Sequence, residues 1–318
     1  MNARHRWLTF GALVIVNLLW AGQYPAYKVA VRTMSVASVN FWTLAIALAF
    51  LLPFFRIFTA PSTVPNTRRS AKTIWEFAVL GTLGIIPPSV MLAWGIDKSS
   101  ASNASILSLT IPVVMVVLGV IMLGERLTTK RTICLIAGLS GTLLVSSDDL
   151  VHASFSRGLL TGNLIILVAG FGSAFYNTYS KRLLERFSEI EVLVYSYVVA
   201  VVLCALLSQF FDHKPFYVLT GYGTATWIAI FVLAGLSWGI AMVIWMWALR
   251  RLDIGQISVS VYLLPFFGLL LSMVTLHERL SAAQIIGGAV TLAGTAALTA
   301  ADRGSESNPV VPQGEANQ

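Results

Sequence analysis

Neutral polar and aromatic side chains lie inside long apolar stretches of the chain. Such side chains could bind another molecule. The candidates are Asn17, Trp20, Gln23, Tyr24, Asn103, Ser105, Tyr176, Asn177, Trp238, Gln256, Ser258 and Tyr262. Amides and hydroxyls exchange hydrogen bonds, and aromatic rings add broad apolar faces, which suits the binding of a small metabolite. No Asp, Glu, Lys, Arg or His stands near the middle of a stretch, so the sequence predicts no proton relay.

Each candidate also has a purely structural interpretation. Asn17 could contact a substrate or form a hydrogen bond to a neighbouring helix. Trp20 could belong to a gate or to the aromatic belt at the membrane surface, and for Tyr176, near the inner end of span 6, the belt is the preferred interpretation. The serine hydroxyls could bond carbonyl groups of their own helices. Trp238 lies deeper in its stretch and is the better candidate for a cavity wall.

One module occurs twice in the chain, with a constant offset of 153 residues. The offset relates Trp94 to Trp247, Lys28 to Lys181, Pro112 to Pro265, and Glu125-Arg126 to Glu278-Arg279. A constant offset over so many positions indicates a duplication. We therefore predict two repeats, residues 1–150 and 151–301, followed by a disordered cytoplasmic tail, residues 302–318.

The composition is typical of a membrane protein, because 57% of the residues are hydrophobic, 11% are charged and the mean hydropathy is +0.79. A helix of about 20 apolar residues crosses a hydrocarbon layer of ~30 Å. Such stretches predict an all-α polytopic membrane protein with ten transmembrane helices, which we number spans 1 to 10. Their predicted limits are 7–24, 36–55, 73–94, 101–123, 132–145, 159–180, 192–211, 226–247, 254–276 and 282–300.

Five spans in each repeat place the second repeat upside down relative to the first, so we predict two inverted five-helix repeats. Basic residues test the orientation, since cytoplasmic segments collect Lys and Arg. With both termini in the cytoplasm, the inner segments hold 15 of the 21 basic residues and the outer segments hold 6. The net charge of +7 then reflects orientation in the membrane, and no nucleic-acid surface is predicted.

Spans 4 and 9 each carry a proline and end in an acidic-basic pair. A proline removes a helical hydrogen bond and bends the helix, so Pro112 and Pro265 are predicted hinges. The pairs Glu125-Arg126 and Glu278-Arg279 fall at opposite membrane faces if the repeats are inverted. Each pair could be a weak interfacial ion pair or the latch of one gate.

The sequence contains few features that an enzyme would need. Metal-binding spacings of His, Cys or Asp, nucleophile motifs and phosphate-cradling loops are all missing, so no metal site or cofactor is predicted. The two cysteines, Cys134 and Cys204, fall inside predicted spans and are interpreted as buried packing residues.

The doubled five-span plan, with its paired prolines and the Glu-Arg-Leu that closes spans 4 and 9, resembles the EamA family of the drug/metabolite transporter superfamily. The resemblance covers roughly residues 8–300 and includes Leu19-Trp20-Ala21-Gly22, Pro25 and Lys28 in span 1. Span 6 departs from span 1, with Ser173 and Thr178 in place of the Trp and the Pro. The resemblance implies a ten-helix carrier whose cavity is lined mainly by spans 1, 3, 4, 6, 8 and 9, and the departure predicts an asymmetric site.

The sequence therefore predicts a secondary transporter that exports a small metabolite, an amino acid or a related compound, across the inner membrane by alternating access. Its expected partners are the small-molecule substrate and the lipid bilayer, and its oligomeric state stays open. An exchanger of organic phosphates or nucleotide sugars is the alternative, but its cavity would need Arg or Lys, and only Lys28 and Lys181 come near. A membrane enzyme or a receptor is a further alternative.

The bias in basic residues gives a direct test of orientation. In a chain with no other cysteine, we expect a cysteine at Ser154 to react with a membrane-impermeant thiol reagent added outside the cell, and a cysteine at Ser70 not to react. Labelling of residue 70 from outside, with none at residue 154, would reverse the predicted topology.

Overall fold

The computed structural model describes residues 3–58, 70–99, 107–126, 157–212 and 216–264 without a break, together with scattered residues between 104 and 293. All regular elements in this part of the chain are helices. Six of them are long and apolar enough to cross a membrane: Trp7–Ala30, Val36–Phe55, Ala71–Lys98, Leu160–Leu183, Glu189–Phe211 and Thr224–Arg251. The all-helical class is therefore confirmed.

The six long helices correspond to predicted spans 1, 2, 3, 6, 7 and 8. Span 4 is a shorter helix, Thr110–Leu123, and span 9 begins with the helix Ile254–Ser258. Spans 5 and 10, the end of span 9 and the C-terminal tail lie mostly or wholly outside the described residues. The count of ten spans stays a prediction.

The long helices are apolar on two faces, as a helix between protein and lipid must be. In span 7, Tyr197, Ala200 and Cys204 are fully buried against neighbouring helices. Val198 and Val202, on another face of the same helix, are 44% and 53% exposed. Burying one apolar face while exposing another suits a hydrocarbon environment.

Hydrogen bonds and ion pairs fix which helix ends meet. Ser99, at the end of span 3, donates to Asn163 near the start of span 6, with 2.7 Å between the oxygens. At the opposite end of the bundle, Arg186, which follows span 6, forms an ion pair at 2.7 Å with Glu76, near the start of span 3. We call the end with Arg186 the inner end, which the charge bias predicts to face the cytoplasm, and the end with Ser99 the outer end.

Two repeat-equivalent lysines cap two repeat-equivalent helices. The Lys28 ammonium donates to the carbonyl oxygens of Ile96 and Ser99, at 2.8 and 3.4 Å, where span 3 ends. The Lys181 ammonium donates to the carbonyl oxygens of Leu249 and Leu252, the first at 3.2 Å, where span 8 ends. The offset of 153 residues relates both lysines and all four carbonyl groups. Because a helix C-terminus carries unpaired carbonyls and partial negative charge, an ammonium group stabilises it in each repeat.

Spans 3 and 8 are also interrupted at equivalent places. Span 3 is π-helical over Leu80–Ile85 and Pro87–Met91, and span 8 is π-helical over Leu233–Ala241. Prolines at 87 and 88 explain the first interruption, since they lack the amide hydrogen that an α-helix requires. A π-helical turn shifts the pairing of the backbone and leaves carbonyl oxygens for other donors, and such turns are frequent at functional sites.

The lysine caps predict equal effects in the two repeats. Lys28→Met and Lys181→Met should each reduce the free energy of unfolding by about 1 kcal/mol, since each leaves helix-end carbonyls without their cationic partner. Purified protein in detergent should then melt roughly 2–4 °C lower. Lys72→Met is the control, because Lys72 is exposed in the first turn of span 3, where a cation is unfavourable. A fall in only one of the two variants would contradict the equivalence.

Candidate substrate cavity

A cavity lies at the middle of the bundle and extends toward the outer end. The cavity has a volume of about 90 Å³, several times the ~15 Å³ that one water needs, so the space suits a compact metabolite. Its walls come from spans 1, 3, 4, 6, 8 and 9. Six residues singled out from the sequence lie on these walls: Trp20, Gln23, Tyr24, Tyr176, Asn177 and Trp238.

Four other candidates lie away from the cavity. Asn17 is fully buried and donates its amide to the carbonyl oxygen of Leu13 at 2.8 Å. Ser258 donates to the carbonyl oxygen of Gly255 at 3.2 Å, as hydroxyls in helices often do. The side-chain oxygen of Gln256 accepts from the amide of Asp253 at 2.9 Å and so helps to begin span 9.

Tyr262 is fully buried in a small cluster with Leu109 and Val259. Asn103 and Ser105 lie outside the described residues. Polar residues of spans 1, 6 and 8 thus reach the cavity, whereas those described near the start of span 9 support its backbone or its packing.

Several cavity residues have no polar group and escaped the sequence analysis. Gly84, Pro88 and Leu92 supply the wall from span 3, and Gly170 opens the wall of span 6. The available signal was the cluster of helix-breaking residues in span 3. Glycine and proline in the interior of an apolar span indicate an irregular helix, where ligands commonly bind.

Trp238 is held in place by a chain of buried hydrogen bonds. Its indole N–H donates to the Tyr27 hydroxyl at 3.1 Å, and that hydroxyl donates to the Asn40 side-chain oxygen at 3.1 Å. The Tyr197 hydroxyl donates to the Trp238 carbonyl oxygen at 2.7 Å. Because this carbonyl lies in the π-helical part of span 8, the irregular helix and the position of the indole are stabilised together.

Trp20 is connected to the same π-helical segment. Its indole N–H donates to the carbonyl oxygen of Ser237 at 3.2 Å, linking span 1 to span 8 beside the cavity. The aromatic-belt interpretation of Trp20 and Tyr176 does not describe their contacts, since both line the cavity and Tyr176 is 4% exposed. A belt residue would instead meet the lipid headgroups.

The lining is electrically neutral among the residues that the structure describes. Its polar side chains are the amides, hydroxyls and indoles of Trp20, Gln23, Tyr24, Ser108, Ser173, Tyr176, Asn177 and Trp238, and the remaining walls are apolar. Such a wall can orient a small molecule by hydrogen bonds without demanding a net charge. A phosphate group would be left without Arg or Lys.

Pro112 is the third residue of the helix Thr110–Leu123, so the missing amide hydrogen interrupts no bond inside that helix. The irregular geometry lies one turn earlier, where Ser108 and Leu109 form a turn and Ser108 accepts from the amide of Ile111 at 3.0 Å. Span 9 is similarly irregular over Val259–Tyr262, one turn before Pro265, which lies outside the described residues. Movement about these places stays a prediction.

Glu125 makes a contact that the sequence analysis did not anticipate. Its carboxylate accepts from the backbone amides of Ile254 and Gly255, at 2.8 and 3.1 Å, where span 9 begins. Gly124 makes this geometry possible, because its φ of 67° ends span 4 in a left-handed turn. A carboxylate at a helix N-terminus satisfies unpaired amides and favours the helix dipole.

The Glu125 contact joins spans 4 and 9 at the inner end. The two spans also come close at Gly119, where an added Cβ would stand 3.1 Å from the Ile254 Cβ. Arg126 is exposed, and Glu278 and Arg279 lie outside the described residues. The predicted gate roles of these residues remain predictions.

These features define a class: a polytopic, all-helical membrane protein with a small cavity enclosed by its spans. The chain belongs to the EamA-like transporter family, which matches residues 7–147 and 160–300. It is a transporter and not an enzyme, and the two matched regions agree with the duplication.

Relatives match this chain over most of their length and are described as transporters or exporters. A probable terminal-alkyne amino-acid exporter of Streptantibioticus cattleyicolor is 28% identical over 286 residues, covering 89% of this chain and 90% of the relative. An uncharacterized transporter of Bacillus subtilis, YoaV, is 22% identical over 282 residues, covering 89% and 93%. One crystal structure superposes with a TM-score of 0.75 at 19% identity, covering 95% of this chain and 99% of the other, and supports the fold alone.

The Glu125 contact predicts a shift between transport states. Glu125→Gln removes the charge that stabilises the start of span 9, so it should loosen the inner end and favour the inward-open state by about 1 kcal/mol, a several-fold change in population. Glu278→Gln, the repeat-equivalent substitution, should favour the outward-open state. Reactivity of engineered cysteines toward impermeant reagents from each side measures both shifts. Shifts of the same sign, or none in folded protein, would refute opposed gates.

Proposed function

We propose that this transporter exports a small amino acid, or a closely related compound without net charge, across the inner membrane by alternating access. The neutral cavity carries the proposal. A zwitterion has no net charge, and its ammonium and carboxylate groups need the acceptors and donors that amides, hydroxyls and indoles supply. The apolar walls suit a short side chain.

The relative from Streptantibioticus cattleyicolor supports the substrate class and the direction, because its name describes an amino-acid exporter. The cavity also favours an amino acid over an organic phosphate, since its described lining has no cationic side chain.

Alternating access rests on two inverted five-span repeats with both termini in the cytoplasm. The matched regions 7–147 and 160–300 support the two repeats. The lysine caps support inversion, since Lys28 acts at the outer end and Lys181 at the inner end. Two similar halves facing opposite ways can exchange which side of one cavity is open.

Counterflow in proteoliposomes tests the proposal. Vesicles that contain the purified protein and an unlabelled mixture of neutral amino acids should take up labelled L-alanine or L-valine faster than vesicles that contain the protein but no internal amino acids. The rate should saturate as the external concentration rises. Organic phosphates inside should produce no acceleration. Equal uptake in loaded and empty vesicles for every neutral amino acid would refute the substrate class, and acceleration by phosphates would favour the alternative exchanger.

Gly170 provides a sharper test of the same cavity. A Cβ at this position would stand 3.3 Å from Ile111 Cγ1, so Gly170→Ala should narrow the cavity with little change in the backbone. We expect the half-saturating concentration to rise about tenfold for L-valine and less for L-alanine. Gly11→Ala is the matched control, because a Cβ there meets nothing within 4 Å. Equal effects on both amino acids would place the binding site elsewhere.

A further inference from the structure

The cavity ends abruptly on its inner side. Along span 6 its wall stops at Asn177, and along span 8 it stops at Met242, among the residues that the structure describes. One turn further toward the inner end, Ser180 and Trp245 are fully buried. A solute in the cavity is therefore separated from the inner end by packed side chains.

Trp245 is the largest side chain in this barrier, and it has two specific contacts. Its indole N–H donates to the side-chain oxygen of Asn177, which lines the cavity. Its ring packs on Trp20, another cavity residue, with 4.8 Å between centroids and 52° between the planes. The barrier is thus held by two residues that a bound solute would touch.

The duplication identifies what is special about this pair. The offset of 153 residues relates Asn177 to Tyr24 and Trp245 to Leu92. Tyr24 and Leu92 both line the cavity, so the space between spans 1 and 3 in the outer half is open. In the inner half, an indole and its amide partner occupy the corresponding place. The cavity is therefore open beside Leu92 in the first repeat and is closed by Trp245 at the equivalent place in the second repeat.

The Asn177 amide has a defined capacity for hydrogen bonds. Its nitrogen donates to the carbonyl oxygen of Ser173 at 2.8 Å, which fixes the orientation of the amide. Its oxygen accepts from the Trp245 indole. A group that replaces the indole on this oxygen must be a donor, and a carboxylate cannot do so. A primary ammonium group can, with the additional strength of a charged donor.

We propose that Asn177 and Trp245 form a gate at the inner floor of the cavity that a substrate's ammonium group opens. The ammonium group donates to the Asn177 oxygen, displaces the Trp245 N–H, and frees the indole to leave the floor. This inference rests on the proposed function for the identity of the substrate. The Lys181 cap still joins spans 6 and 8, so the gate is a side-chain movement and the helix ends stay together.

A cysteine at Ser180, one turn below Asn177, reports on the gate. In a chain whose own cysteines are replaced, this buried position should react slowly with an impermeant thiol reagent added to the medium around inside-out vesicles, which the inner end of the protein faces. L-Valine should increase the rate several-fold, whereas 3-methylbutanoate, which has the same carbon skeleton without the amino group, should not.

Trp245→Phe separates the hydrogen bond from the ring. Phenylalanine keeps an aromatic ring but has no N–H for Asn177, so residue 180 should react at the raised rate without L-valine. Trp247→Phe is the matched control, because Trp247 lies on the same helix, does not line the cavity, and packs on Arg251 with the guanidinium 4.3 Å from its ring. This control should react like the parent chain. Asn177→Ala removes the other partner and should reproduce the effect of Trp245→Phe, which guards against a folding defect in one variant.

The outcomes separate the gate from the proposed function. An unchanged rate in both Trp245→Phe and Asn177→Ala overturns the gate, whatever the counterflow experiment shows about amino acids. An equal increase with L-valine and with 3-methylbutanoate overturns the role of the ammonium group. A failure of counterflow with every neutral amino acid overturns the proposed function, and that result is read from transport rates, not from the labelling of residue 180.

Discussion

Polar backbone groups inside a hydrocarbon layer must find partners within the protein, and the structure around the cavity depends on this constraint. The π-helical part of span 8 leaves carbonyl groups available to other donors, and Trp20 and Tyr197 donate to two of them. The helix can therefore be irregular beside the cavity without exposing its backbone to lipid. The bonds that satisfy the irregular helix also position Trp20 and Trp238 as cavity walls.

The duplication supplies a symmetric scaffold and an asymmetric site. The lysine caps and the π-helical segments recur at the same offset in both repeats, and the caps stabilise helix ends that each repeat needs. Equivalent positions of the two repeats line the cavity, but their side chains differ. Trp20 corresponds to Ser173, and Tyr24 corresponds to Asn177. A symmetric scaffold can exchange the side on which it opens, while unlike side chains bind one solute in one orientation.

The sequence predicted the scaffold well because length and hydrophobicity determine which segments can cross a membrane. Six of the predicted spans correspond to long apolar helices, and the family match confirms the resemblance inferred from the doubled motifs. The constant offset between the repeats also relates Lys28 to Lys181, and the two lysines make equivalent contacts.

Contacts between distant residues were harder to predict. Glu125 was interpreted as part of an ion pair or a latch, and it accepts from backbone amides of a helix that begins 129 residues later. Asn17 and Asn177 are the same residue type in related spans and both donate to a carbonyl oxygen of their own helix, yet Asn177 lines the cavity and Asn17 lies away from it. Hydrophobic pattern does not reveal which face of an apolar helix meets a cavity, since both faces are apolar.

The most direct test of alternating access is the reactivity of one cavity residue from both sides of the membrane. Ser173 lies on the cavity wall at the middle of span 6. In the absence of substrate, a single cysteine at this position should react with an impermeant reagent added to the outer side. As L-valine is added, its reactivity from the outer side should fall and its reactivity from the inner side should rise. Reaction from one side only under all conditions, or a simultaneous increase from both sides, would contradict a carrier that opens one cavity alternately.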